Sequence, residues 1–231
     1  QRAHEESPVV NEEHLQNLSL QKRPLGQRLM AQLFLKVNYG LPPRSRITIE
    51  GLENIPKDRT VFFALNHTDR YNYWPFQWKL WKLGGQRFST SWVKAKYYQN
   101  KAMSYFLDHC NNIPLPSKGY VILQDGLTVL NRRLENREYR FLRDFADGAI
   151  SVEEAHGTAP ISLLPLFHTQ RSHFDPTTED YGAYIRRATI RLMKLVEART
   201  LEALGKYDNN VIVFPQGTRS LRLLPARSGM F

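Results

Sequence analysis

Short apolar runs rich in β-branched and aromatic residues alternate with helical patterns along this chain, and this alternation constrains its fold most strongly. Strands are predicted at Thr60–Leu65 and within residues 86–96, 111–119, 159–170 and 209–220. Strands that alternate with helices favour a parallel sheet covered by those helices. The sequence therefore predicts an α/β fold, with a mostly parallel central sheet and helices on both faces.

Helical patterns fill the intervals between these strands. Apolar residues spaced for one helix face occupy Leu25–Val37, and Gly40 and the pair Pro42-Pro43 end the pattern. Two interpretations of this face stay open. It packs on the core, or it lies in a membrane interface with the help of Arg28 and Lys36. Further helices are predicted at Tyr73–Leu83, Tyr97–His109, Val121–Ala146 and Tyr181–Leu204.

The remaining segments suggest one domain with an appendage. Residues 1–24 are polar and weakly patterned, which predicts an extended N-terminal arm. Residues 25–231 then form a single domain, a size that can bury a sizeable core. Within it, Arg46–Glu50 alternates as a strand does.

Basic residues outnumber acidic ones by 32 to 22, which gives a formal net charge of +10. Such an excess predicts an anionic partner, whether nucleic acid, an acidic membrane face or a phosphorylated substrate, although it also serves solubility. Aromatic residues are interleaved with lysines between Tyr71 and Lys82. Three interpretations of this segment stay open: stacking on nucleic-acid bases, an acyl-chain tunnel and core packing. The single cysteine, Cys110, excludes an internal disulfide. No apolar run approaches the roughly 18 residues of a membrane span.

Two strand ends carry residues suited to chemistry. His67 follows the run at 60–65, and an imidazole there can take a proton from a hydroxyl group. After the run at 211–214, Gly217 permits a tight turn, while Thr218 and Arg219 supply donors that suit a phosphate. Ligands of α/β proteins bind at the carboxyl ends of the strands, so both loops belong to the expected binding edge. The histidines lack the paired spacing of metal ligands, and no metal site is predicted.

Both loops resemble motifs of the glycerolipid, or lysophospholipid, acyltransferases. The first motif of that family is Asn-His, four residues and Asp, and here it stands as NHTDRYN at residues 66–72. The third motif is FPEGTRS, and here it stands as FPQGTRS at residues 214–220. The lead-in ITIEGLENIP is also similar to the segment before the first motif. The resemblance covers roughly Arg46–Ser117 and Leu192–Phe231, and leaves residues 134–180 as an insertion.

The resemblance implies a glycerol-3-phosphate acyltransferase-like fold and an enzyme of phospholipid biosynthesis. Such an enzyme moves a fatty acyl group from acyl-CoA or acyl-carrier protein to the free hydroxyl of a lysophospholipid such as 1-acylglycerol-3-phosphate. It uses no further cofactor. The resemblance also implies a peripheral protein at the cytoplasmic face of an anionic membrane, with no nucleic-acid partner.

The resemblance also implies roles for individual residues. His67 would take the proton of the acceptor hydroxyl, and the third motif would hold the acceptor, with Arg219 on its phosphate. Lys118 is the candidate for the basic residue of the middle motif, although it also fits a solvated loop lysine. The expected substrate-binding residues are Gln216, Gly217, Thr218, Arg219 and Lys118.

Two positions depart from the family pattern, because Asn72 and Gln216 replace the expected aspartate and glutamate. Asn72 can orient His67 if its oxygen accepts from Nδ1–H, whereas the opposite amide orientation fixes the proton on Nε2 and disables the base. Asp69 is either a helix N-cap or a substitute carboxylate. Gln216 can still bond a glycerol hydroxyl or brace its loop.

The departures leave two alternatives open: a catalytically disabled lipid-binding protein of the same family, and a basic nucleic-acid-binding module. A further departure is the end of the sequence at Phe231, where the family continues into another strand. The expectation is that the C-terminal part of the domain is missing.

Overall fold

The structure is a computed structural model that describes residues 9–42, 46–68, 73–82, 88–222 and 224–225. In these residues a parallel sheet of four strands has the order β1-β4-β2-β3. The strands are β1 (Phe62–Ala64), β2 (Ser89–Lys94), β3 (Ile113–Leu115) and β4 (Asn210–Val213). The predicted α/β fold with a parallel sheet is confirmed.

The helices lie between and around these strands. Those of the α type are α1 (Glu12–Asn17), α2 (Leu25–Met30), α3 (Lys36–Gly40), α4 (Trp74–Lys82), α5 (Lys101–His109), α6 (Lys118–Leu130), α7 (Asn136–Ala146), α8 (Val152–Thr158), α9 (Leu164–His168) and α10 (Tyr181–Gly205). A π-helical stretch, Ala31–Leu35, joins α2 to α3, and short 3₁₀ helices cover Leu52–Asn54, Ala95–Gln99 and Ile161–Leu163. Among the described residues, no helix is long and apolar enough to cross a membrane.

The strand β4 lies at the centre of the sheet between β1 and β2, and all four of its residues are buried. Its β-branched residues Val211, Ile212 and Val213 suit a pleated surface that is covered on both sides. β1 forms an edge instead, and Phe62 is 41% exposed. The strand predicted at 60–65 is therefore confirmed as a strand, whereas the burial that its apolar composition suggests is not found.

Side-chain hydrogen bonds of β2 show which helices face each side of it. Successive residues of a strand point to opposite faces, so Ser89 and Trp92 point in opposite directions. Gln77 of α4 donates to the Ser89 hydroxyl at 3.0 Å, and the Trp92 indole donates to Thr200 of α10 at 3.0 Å. The strand β2 thus lies between α4 and α10.

Several segments differ from the sequence expectations. Residues 159–170, predicted as a strand, instead form a 3₁₀ turn and α9, where Pro165 occupies the first turn, a position that favours a helix. Arg46–Glu50 forms no strand. The helix expected at Val121–Ala146 is two helices, because Asn131 adopts a left-handed conformation with φ 51° after α6.

The N-terminal segment also differs from the extended arm expected over residues 1–24. Its described part, residues 9–24, contains α1 and buries the apolar side chains Val10, Leu15, Leu18 and Leu20 in the core. These four positions do not share one helical period, so the sequence pattern gave a weak signal. Residues 1–8 lie outside the described residues, as do Gly84 and Gly85, the pair in the sequence that is expected to end the helix predicted at Tyr73–Leu83.

Residues 134–180 form a helical layer that ion pairs tie to the rest of the chain. Arg132 and Glu138 pair at 2.6 Å, and Ser162 donates to the same Glu138 carboxylate at 2.6 Å. Arg171 pairs with the buried Asp125 of α6 at 2.9 Å. The Arg132 guanidinium and the Ser162 hydroxyl hold the pKa of Glu138 at about 2, below the ordinary 4.5.

Replacing Glu138 by glutamine should lower the free energy of unfolding by about 1–3 kcal/mol. The reason is that Glu138 is buried, and Arg132 would lose its charged partner at that position. A carboxyl whose pKa is depressed on folding stabilises above its unfolded pKa and loses that effect as it protonates. The difference between wild type and Glu138→Gln should thus be full above pH 4.5 and shrink as the pH falls towards 2. Urea unfolding at several pH values measures it.

The matched control is Glu197→Gln, on the exposed side of α10. A difference between wild type and Glu138→Gln that is no larger than the control, or that does not shrink in acid, would contradict this account of the ion pair.

Candidate active site

The pairing of β1 with β4 joins the two loops that follow these strands. Ala64 lies opposite Val213 in the ladder, and the Leu65 amide donates to the Val213 carbonyl at 2.9 Å. Beyond the strands, the Ser220 amide donates to the carbonyl of His67 at 2.9 Å. The loop that carries His67 and the loop at 214–220 are therefore in direct contact, and we refer to both together as the strand-end site.

His67 is half-buried, and its ring stacks on Phe214, with ring centroids 4.4 Å apart and planes 29° from parallel. Tyr73 contacts the same Phe214 ring edge-on at 5.4 Å. Stacking fixes the plane of the imidazole. The predicted partners Asp69 and Asn72 lie outside the described residues.

The third-motif loop begins with a tight turn. The Gly217 amide donates to the Phe214 carbonyl at 2.9 Å, and Gly217 has φ 61°, in the left-handed region that a side chain would strain. After the turn Thr218 is half-buried and Arg219 is exposed. The turn thus presents a guanidinium beside a hydroxyl, and both are donors that suit a phosphate.

Gln216 has a structural role in the same loop. Its side chain is buried, and Nε2 donates to the Leu224 carbonyl at 3.0 Å. Within the described part of the chain, its Oε1 atom is buried without a hydrogen-bond partner. The amide braces the residues after the motif, which a carboxylate could not do.

Lys118 lies apart from the strand-end site. It opens α6 after β3, and β2 separates β3 from β4 in the sheet, so about 10 Å separates these strands. Its Nζ pairs with Asp147 at the end of α7 at 2.5 Å. Of the predicted residues, the structure therefore brings together His67, Gln216, Gly217, Thr218 and Arg219, and holds Lys118 in a separate ion pair.

The structure also adds residues that the sequence interpretation did not select. Because Ser91 lies opposite Ile212, the end of β2 with Lys94 and Lys96 lies beside the residues that follow β4. Both lysines are exposed, and Lys96 Nζ lies 5.3 Å from the ring of Tyr97. The signal in the sequence was a pair of lysines at the carboxyl end of a predicted strand.

Comparison of the chain with protein-family models, with curated proteins and with solved structures finds no match. The two motifs and their contact are thus the features on which a function can be argued. No group of three histidine, cysteine, aspartate or glutamate side chains among the described residues is arranged to hold a metal ion.

We predict that Gln216→Glu, which introduces the residue of the family motif, lowers the free energy of unfolding by about 1–3 kcal/mol at neutral pH. The new carboxylate cannot donate to the Leu224 carbonyl and is buried against it. Urea unfolding checks this, with Gln170→Glu in an exposed loop as the control. Equal stability of the two variants would show that the brace contributes nothing.

Proposed function

We propose that this protein is an acyltransferase that moves a fatty acyl group from an acyl thioester to the free hydroxyl of a lysophospholipid, such as 1-acylglycerol-3-phosphate. The observation that carries the proposal is the contact between the His67 loop and the 214–220 loop, through the Ser220 amide and the Phe214 ring. A base and a phosphate-binding turn then belong to one site. The motif order and spacing add their support.

In the proposed reaction, His67 takes the proton from the acceptor hydroxyl as its oxygen attacks the thioester carbonyl. The tetrahedral intermediate collapses, the C–S bond breaks and an ester bond forms. The imidazolium returns its proton to the leaving thiolate, which completes the balance. The stacked Phe214 ring holds the imidazole in one plane during both transfers.

The acceptor's phosphate is assigned to Arg219, with the Thr218 hydroxyl as a further donor, while Gly217 forms the turn that presents them. Arginine binds phosphate oxygens in pairs, which orients the acceptor as well as holding it. Lys94 and Lys96 raise the positive charge at the same edge of the sheet and suit the phosphates of acyl-CoA or the acidic surface of an acyl-carrier protein.

The proposal includes a membrane setting and a finer fold assignment. Product and acceptor are lipids, so the protein is placed peripherally at the cytoplasmic face of an anionic membrane, with a glycerol-3-phosphate acyltransferase-like arrangement of its α/β layers. Acyl-CoA or acyl-carrier protein is the co-substrate, and the reaction needs no other cofactor.

A second candidate is a lipid-binding protein that has lost catalysis. The observation that favours it is the replacement of both acidic motif residues by amides, at Asn72 and Gln216. The hydrogen bond from Gln216 to Leu224 gives that amide a structural reason, because a brace requires a donor there. Asn72 is thus the residue on which the two candidates differ.

We predict that His67→Ala lowers kcat for acyl transfer from acyl-CoA to lysophosphatidic acid by about 10²–10⁴, the usual contribution of a general base. Initial rates of free thiol release measure it. His156→Ala, an exposed histidine of α8, is the control and should keep the wild-type rate.

Asn72→Asp separates the two candidates in the same assay. A wild-type protein that turns over supports the enzyme. A silent wild type with an active Asn72→Asp variant supports the disabled lipid-binding protein, and equal rates for wild type and His67→Ala exclude His67 as the base.

Arg219→Ala should raise KM for the phosphorylated acceptor by about 10–100-fold and leave KM for the acyl donor unchanged, because a charged hydrogen bond contributes about 1.5–3 kcal/mol. Steady-state kinetics with each substrate varied in turn measures this. Arg222→Ala, in the same loop and equally exposed, is the control. An equal rise in both KM values would contradict phosphate binding by Arg219.

A further inference from the structure

An exposed apolar row runs along the helix formed by α2, the π-helical stretch and α3, which we call the 25–40 helix. Its leucines and valine recur every four residues and are 49–70% exposed. They are Leu25, Leu29, Leu33 and Val37. Phe34 and Leu41 are also exposed, at 44% and 47%. Of the two interpretations of this face in the sequence, packing on the core does not apply to this row.

The opposite side of the 25–40 helix is sealed, so the row cannot turn inward. Ala31 and Leu35 are buried, and a Cβ atom at Gly26 would lie 2.5 Å from the His109 carbonyl oxygen of α5. The Gln27 amide donates to the Cys110 carbonyl at 2.6 Å. The π-helical stretch, with its wider turn, keeps the positions four apart in line along the outer side.

A basic row borders the apolar one. Arg28, Gln32 and Lys36 are exposed and also four residues apart, so they run parallel to the leucines on the same helix. The neighbouring α5, which packs on α2 at Gly26, exposes Met103, Tyr105 and Phe106 as well. An apolar stripe flanked by cations is the pattern of a helix that lies in a membrane interface.

Aromatic contacts connect this helix to the strand-end site. Phe34 contacts Trp74 edge-on at 5.3 Å, Trp74 follows Tyr73, and Tyr73 contacts Phe214 at 5.4 Å. Phe214 in turn stacks on His67. A continuous path of aromatic side chains thus connects the 25–40 helix, where the lipid tail would lie, to the proposed base.

We infer that the 25–40 helix is the surface by which this protein docks on an anionic phospholipid bilayer, with Leu25, Leu29, Leu33 and Val37 among the acyl chains. The helix is about 24 Å long and lies in the plane of the interface, while Arg28 and Lys36 meet the headgroups. The inference deepens the proposed function, on which its orientation of lipid towards His67 rests.

The alternative occupant of this face is a second copy of the chain. A two-fold contact places the same patch of each copy against the other, so the two basic rows would approach each other. Anionic headgroups instead neutralise Arg28 and Lys36, and the net charge of +10 acts in the same direction. Charge complementarity therefore favours the bilayer.

The test is co-sedimentation of the whole protein with vesicles of phosphatidylcholine alone and of phosphatidylcholine mixed with phosphatidylglycerol. We expect binding to the mixed vesicles that weakens with added salt. The double variant Leu29→Ser with Leu33→Ser should bind on the order of tenfold more weakly, from the loss of buried methylene groups. Arg28→Gln with Lys36→Gln should also weaken binding, by about 30-fold, because each cation near the surface contributes about 1 kcal/mol.

The controls are Ile190→Ser with Leu201→Ser for the apolar row, and Arg137→Gln with Lys194→Gln for the basic row. These residues are exposed on α10 and α7. Circular dichroism verifies that each variant is folded. Equal binding by the row variants and their controls overturns the inference. A wild type that binds neither kind of vesicle overturns it as well.

A further experiment tests whether a second copy of the chain covers this face. Sedimentation velocity that shows a dimer in wild type and a monomer in Leu29→Ser with Leu33→Ser overturns bilayer docking in favour of self-association. Vesicle binding needs no turnover. If the protein binds vesicles but transfers no acyl group, the proposed function is wrong and the docking inference stands. If the protein transfers an acyl group to a short-chain soluble acceptor but does not bind vesicles, the docking inference is wrong and the proposed function stands.

Discussion

The parallel pairing of β1 with β4 is the contact on which the strand-end site depends. His67 and the 214–220 loop are far apart in the chain, and this ladder brings them together, with the bond from Ser220 to His67 and the stacking of Phe214 on His67. β4 is buried throughout because β1 and β2 flank it and α4 and α10 lie to either side. The central strand therefore positions a loop that is held by the Gly217 turn, the Gln216 brace and its contacts with His67.

The same geometry relates the site to the exposed 25–40 helix. Phe214 ends the central strand and touches both His67 and Tyr73, so it belongs to the site and to the aromatic path that leads outward. Burial raises the pKa of Tyr73 in that path. A lipid acceptor has an apolar tail and a polar head, and the molecule offers aromatic contacts through Phe214 and an exposed arginine in the 214–220 loop. The proposed chemistry and the inferred docking surface are consistent with one direction of approach.

Local signals explain what could be predicted from the sequence. β4, its turn and α10 were predicted because β-branched residues, a proline stop and a long helical period coincide at those positions. Residues 159–170 were predicted wrongly, since a short apolar run has the same composition in a strand and in a buried helix. The strand order and the edge position of β1 depend on pairing between distant segments, which no local pattern contains. Equally, the spacing of the leucines in the 25–40 helix is the same for a helix facing the core and one facing a membrane.

The central claim is that His67 and the 214–220 loop form a single site for a phosphorylated lipid acceptor. The most direct measurement is a crystal structure of the protein with 1-acylglycerol-3-phosphate bound and no acyl donor, so that the acceptor cannot react. We expect the free hydroxyl of the acceptor to lie about 2.6–3.2 Å from a nitrogen of His67 and the acceptor's phosphate to contact Arg219. An acceptor bound with its hydroxyl away from His67, or with its phosphate held elsewhere on the protein, would contradict the claim.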